Sequence, residues 1–161
     1  MTHSEVDLHV LAQRLVGSDR RLAVAESCTG GWLAKRCTDL AGSSDWFECG
    51  LVTYSNRAKQ GLLGVQSASL DQFGAVSEVV AAEMVEGMFR VSAADLAMSI
   101  TGIAGPDGGS DQKPVGTVWF AWAWRGDKPS TERVRFMGDR ASVRRQAVEW
   151  ALSTLARLAG A

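Results

Sequence analysis

A chain of 161 residues is the length of one domain, at about 150 residues per domain, and is long enough to bury a core without disulfide or metal staples. With 46% hydrophobic and 22% charged residues it is not a disordered chain, and a net charge of −1 excludes a module held on nucleic acid by a basic field. The only two histidines, His3 and His9, lie near the N-terminus, so a histidine triad or a His-rich metal site would have to be built from that segment.

The chain reads first as a helix from Ser4 to Val16. Leu8, Leu11 and Leu15 share a face, Ser4-Glu5-Val6-Asp7 resembles a capping box, and Gly17 fits a stop. This start carries acids and no long apolar run, so it does not read as a signal peptide, and no stretch approaches the ~20 apolar residues of a membrane span. Cys28, Cys37 and Cys49 show no CxxC spacing, which points to reduced thiols in a cytosol and away from a disulfide framework or zinc knuckle. Arg21 to Glu26 reads as a buried strand, Trp32 to Leu40 as a helix, and Trp46 to Tyr54 as a second strand. Asn56 to Leu63 is a short helix ending near Gly64. Ser77 caps a helix running to about Ser92, and Leu96 to Thr101 is a third strand.

Gly102 to Gly116 is the longest loop, with five glycines and two of the three prolines. Beyond it, Thr117 to Trp124 is an apolar strand and Thr131 to Phe136 its partner. Asp139 caps the last helix, which turns Val143, Ala147, Trp150 and Leu158 inward. Strands alternating with helices predict a single α/β domain over residues 1–161, a three-layer α/β/α unit with a mostly parallel but mixed sheet carrying one antiparallel pair. Phe120, Trp122 and Trp124 share one side of their strand, which suits core packing or a subunit contact.

Three segments can carry chemistry. In Ala25 to Gly31 (AESCTGG) a strand ends, a small polar cluster follows and a helix begins, where the backbone N–H groups of Thr29, Gly30 and Gly31 can hold an anion or a developing oxyanion. Ser27 or Cys28 could be a nucleophile there. Equally, the segment could be a glycine-containing turn capped by Ser or Thr. The second segment is Thr53 to Lys59 (TYSNRAK). Serine needs a base, and a lysine kept neutral by burial can be one. Of the four lysines only Lys59 follows a strand end in a polar cluster, and Tyr54, the single tyrosine, could relay a proton or orient it. Against this, an ordinary Lys59 would be exposed. The third segment starts at Thr101-Gly102. Its glycines and Asp107 could line a polar pocket, and Lys113 and Arg140 could pair with a phosphate, or this could be a surface loop beside a solvated helix start. Arg140, Arg144 and Arg145 crowd one helix end but are diluted by Asp139 and Glu149.

Taken together, AESCTGG (25–31), GLVTYSNRAKQGLLGV (50–65), GAVSEVVAAEM (74–84), SITGIAGPDGG (99–109), KPVGTVWFAW (113–122) and FMGDRASVR (136–144) occur in order over nearly the whole chain. In this the sequence resembles the C-terminal domain family of the competence/damage-inducible protein CinA, whose stand-alone form is nicotinamide-nucleotide amidase. The resemblance implies hydrolysis of nicotinamide mononucleotide to nicotinic acid mononucleotide and ammonia, in pyridine nucleotide salvage. It implies Ser27 as nucleophile, Lys59 as base and Tyr54 as support, with Thr101 and Arg140 as substrate or catalytic-site contacts; Thr29, Gly30, Gly31 and Gly102 stand beside them as candidate substrate contacts by position. No metal or other cofactor, nucleic acid or membrane partner is implied. The tryptophan strand and the resemblance point to a homo-oligomer. A different class of function, a non-catalytic nucleotide-binding or regulatory module in a competence or DNA-damage response, would need the pocket but not Ser27 and Lys59 together.

Overall fold

The computed structural model describes residues 2–161, which form one three-layer α/β/α unit. In chain order the elements are α1 (His3–Gly17), β1 (Leu22–Glu26), α2 (Trp32–Asp39), β2 (Phe47–Val52), α3 (Asn56–Leu63), α4 (Ser67–Phe73), α5 (Glu78–Val91), β3 (Leu96–Gly102), β4 (Thr117–Trp124), β5 (Ser130–Arg135) and α6 (Arg140–Ala159). The sheet order is β2-β1-β3-β4-β5. Both β2 and β3 pair with β1 in parallel, and β4 pairs antiparallel with both β3 and β5. Four strands therefore share one direction and β4 alone opposes them, which makes two antiparallel pairs where one was expected. A chain that leaves β3 by a loop and returns directly can pair only antiparallel.

The period-two alternation of the strands sorts side chains by size. Leu22, Val24, Leu96, Met98, Ile100, Val118 and Phe120 face α1, α2 and α6. The opposite face carries Ala23, Ala25, Ala97, Ala121 and Ala123, and the bulky Val80, Met84, Val85 and Met88 of α5 fill the space those alanines leave. Ser99 belongs to this small-residue face, and its buried hydroxyl donates to the α5 carbonyl of Ala81 at 2.7 Å. The aromatic side of β4 is used within the chain. Trp150 of α6 packs 4.1 Å from the Phe120 ring and 5.9 Å from Trp122, while Arg20 lies 4.6 Å over Trp124. At the β5 edge, Glu132, Arg133 and Arg135 oppose pairing with a foreign strand.

Local signals set most boundaries. Ser55, Ser77 and Asp139 each accept a backbone N–H from the first turn of α3, α5 and α6, and Gly64 ends α3 in the left-handed region. Two expectations shift. The capping box at α1 is Thr2 with Glu5, not Ser4 with Asp7: Thr2 Oγ1 accepts from the Glu5 N–H and Glu5 Oε2 accepts from the Thr2 N–H. Residues 67–73, unassigned from sequence, form α4, too short for a readable periodicity.

Helix α3 leans on α5 where Gly87 faces Leu63. A Cβ on Gly87 would stand 2.8 Å from the Leu63 Cβ and closer still to that residue's carbonyl. Gly87→Ala should push α3 outward and lower stability by about 2 kcal/mol, roughly 6 °C in Tm by thermal melting.

Candidate active site

The three segments singled out in the sequence converge at the carboxyl ends of β1, β2 and β3, where open α/β sheets place ligands. A cleft of about 270 Å³ opens there, lined on one side by Ser27, Cys28, Tyr54 and Lys59 and on the other by Thr101, Gly102, Asp107 and Arg140.

Ser27 follows the last residue of β1. Its N–H donates to Ile100 of β3 at 2.9 Å, so the nucleophile candidate hangs on the sheet. The chain then turns through Gly30 (φ +61°) and Gly31 (φ +98°), a left-handed pair that side chains disfavour. No Ser or Thr caps α2; the cap comes from the preceding strand. The Glu26 carboxylate, 1% exposed, accepts from the Thr29 hydroxyl at 2.6 Å and from the N–H groups of Leu33 and Ala34 at 2.9 and 3.0 Å. Its backbone carbonyl accepts from the Thr53 N–H at 2.9 Å, tying the end of β2 to the same residue.

Ser55 caps α3, and Lys59 sits one turn in, reaching back under β2. The residue is 1% exposed. Nζ lies 2.9 Å from Ser27 Oγ, 2.8 Å from the Thr53 carbonyl and 3.1 Å from the Tyr54 carbonyl. These are hydrogen-bond distances suited to proton transfer. Burial pulls the Lys59 pKa down to about 8, because the charged form loses water and gains no carboxylate. The same desolvation pushes the Cys28 thiol up to about 12, which leaves it protonated and a poor nucleophile. Of the two adjacent candidates, only Ser27 touches a base.

The remaining expected residues divide. Tyr54 orients Lys59 through its backbone carbonyl, while its phenol, 57% exposed, accepts from Arg140 at 3.0 Å. Arg140 also donates to the Gly105 carbonyl at 2.7 Å, linking α6, Tyr54 and the long loop across the cleft rim. Thr101 lines the cleft with its hydroxyl engaged on the Ala75 carbonyl at 2.9 Å. Gly102 is a close-approach position, since a Cβ there would sit 2.7 Å from Val118 and 3.1 Å from the Cys28 sulfur. Thr29, Gly30 and Gly31 line a different depression, with Trp32, Lys35 and Arg144. The Gly30 N–H is already spent on the Ser27 carbonyl at 3.0 Å. Lys113 donates to the Phe73 carbonyl, bracing the loop against α4 rather than joining Arg140.

Two residues were not singled out from the sequence. Glu26 is one. Arg144 is the other: it donates to the Cys28 and Thr29 carbonyls at 3.0 and 3.2 Å and stacks on Trp32. The position of Glu26 three residues before Thr29, at a strand end, was the available signal for the first. Nothing local marks Arg144. Among the described residues no His, Cys, Asp or Glu cluster could hold a metal ion, and no helix is long and apolar enough to cross a membrane.

Known proteins share this arrangement of the chain. The nicotinamide-nucleotide amidohydrolase PncC of Escherichia coli strain K12 is 56% identical over 145 residues, covering 90% of this chain and 88% of that protein. The Pseudomonas putida protein of the same name is 49% identical over 148 residues, 92% of each. A crystal structure of a competence-damaged protein (CinA) superfamily protein from Klebsiella pneumoniae superimposes with a TM-score of 0.93 at 40% identity over 99% of both chains. The family model described as CinA C-terminal domain matches residues 6–159. The chain belongs to the CinA C-terminal domain family.

Proposed function

We propose that the protein hydrolyses the carboxamide of nicotinamide mononucleotide, giving nicotinic acid mononucleotide and ammonia for pyridine nucleotide salvage, through a Ser27–Lys59 dyad. The observation that carries this reading is the set of three oxygens around Lys59 Nζ, two carbonyls and one hydroxyl. A neutral amine has two N–H groups and one lone pair. The carbonyls of Thr53 and Tyr54 take the two N–H groups, and the lone pair faces the Ser27 hydroxyl. The names of the similar PncC proteins supply the substrate.

In this reading Ser27 Oγ attacks the carboxamide carbon while its proton passes to Lys59 Nζ. The Cys28 N–H bonds no other residue among those described and is the candidate donor to the oxyanion, in place of the N–H groups of Thr29 to Gly31. Lys59 returns the proton to the leaving nitrogen, ammonia departs, and an ester to Ser27 remains. Water, deprotonated by Lys59, then releases the carboxylate and restores the serine. Arg140, exposed at the rim with N–H groups beyond those on Gly105 and Tyr54, is placed to meet the phosphate. A purely binding module has no use for a lysine desolvated against a serine hydroxyl.

Ser27→Ala and Lys59→Met should each lower ammonia release from nicotinamide mononucleotide by about 10³-fold or more, read beside nicotinamide and glutamine as control amides. Activity within twofold of wild type in either variant overturns the dyad. The dyad needs neutral Lys59, and its pKa is held down at about 8. Activity should therefore rise through that pH and fall about tenfold per unit well below it. A profile flat between about pH 6 and 9 would remove Lys59 as the base.

A further inference from the structure

The cleft contains one carboxylate that nothing above employs. Asp107 lies on the loop after β3 and lines the same cavity as Ser27, Lys59 and Arg140. Its side chain is exposed and, among the described residues, makes no hydrogen bond or ion pair. The loop around it is held on both sides. Arg140 grips the Gly105 carbonyl, the Ser110 hydroxyl and N–H close a turn with Lys113, and Lys113 reaches the Phe73 carbonyl. At the loop's base the Ile103 N–H donates to the Thr117 carbonyl and the Gly116 N–H to the Ile103 carbonyl. Asp107 is thus carried on a braced segment.

Asp107 and Arg140 line one cavity without bonding each other. A cleft with an unpaired carboxylate and a guanidinium suits a ligand carrying both signs of charge. We propose that Asp107 is a specificity-determining residue that recognises the positive charge of an N-substituted pyridinium ring, while Arg140 takes the anionic end. This rests on the amidase reading. It extends that reading by stating why the site would prefer the mononucleotide, whose ring is cationic, over the same amide on an uncharged ring. Discrimination of this kind is a difference of two affinities, built by placing one charge where only one ligand can use it.

The test compares nicotinamide mononucleotide with its reduced, dihydropyridine form, which keeps the amide, ribose and phosphate and, with a hydride added to the ring, loses the ring charge and aromaticity. KM is measured for the first and the inhibition constant for the second, on wild type and Asp107→Asn. The substitution should raise KM for the cationic substrate by about fivefold. It should leave kcat and the inhibition constant of the reduced form within about twofold, and Asp107→Glu should restore part of the loss. Equal weakening of both ligands would assign the carboxylate to the ribose hydroxyls, and no change in either would leave it without a role. Both results overturn the proposal. Wild-type ammonia release from the mononucleotide tests the amidase reading separately, since the proposal can fail while that release stands.

Discussion

The buried carboxylate of Glu26 is the contact on which the rest of the site depends. A charge taken out of water is tolerated only where enough donors replace the lost hydration. Here those donors are the Thr29 hydroxyl and the first free N–H groups of α2, which also present the positive end of the helix dipole. The carboxylate needs the helix start, and the helix start, lacking a side-chain cap at Gly31, needs the carboxylate. Between the two halves of this exchange the chain has only five residues in which to turn, and Ser27 is the first of them. The Glu26 backbone carbonyl holds Thr53, whose own carbonyl holds Lys59. Ser27 and Lys59 are thereby referred to a single point on β1.

Burial then does for lysine what histidine does unaided near neutral pH. An exposed lysine is charged at neutral pH and cannot accept a proton. Packing the side chain under β2, with carbonyls but no carboxylate around Nζ, penalises the charged form while leaving both N–H groups of the neutral form satisfied. The same dry surroundings act in the opposite sense on Cys28, since a thiol is neutral when protonated. One environment therefore favours the neutral form of both the lysine and the neighbouring thiol.

Most of the fold was legible because its signals are local. The Ser55 and Ser77 caps, the Gly64 stop and the apolar run from Thr117 to Trp124 fall where short-range patterns place them. Ser27 and Lys59 could be singled out because small polar clusters at strand ends are few in this chain. What escaped is what depends on residues far apart. Arg144 looked like one of several charges on a helix, and only the packing of α6 against α2 brings it to the Cys28 and Thr29 carbonyls. Thr29 to Gly31 were grouped with Ser27 by adjacency, but two left-handed glycines turn them into a separate depression. Residues 67–73 are a helix because tertiary packing of Leu70 supports them, which propensity over seven residues does not reveal.

The Arg144 clamp also has a meaning in time. It joins residues 116 positions apart, and at the roughly 5–20 residues per second of ribosomal synthesis the turn bearing Ser27 waits on the order of ten seconds before α6 exists to hold it. During that interval the Cys28 and Thr29 carbonyls lack their guanidinium donor. The turn after β1 is thus folded early and fastened late, its guanidinium clamp supplied by a helix more than a hundred residues further along the chain.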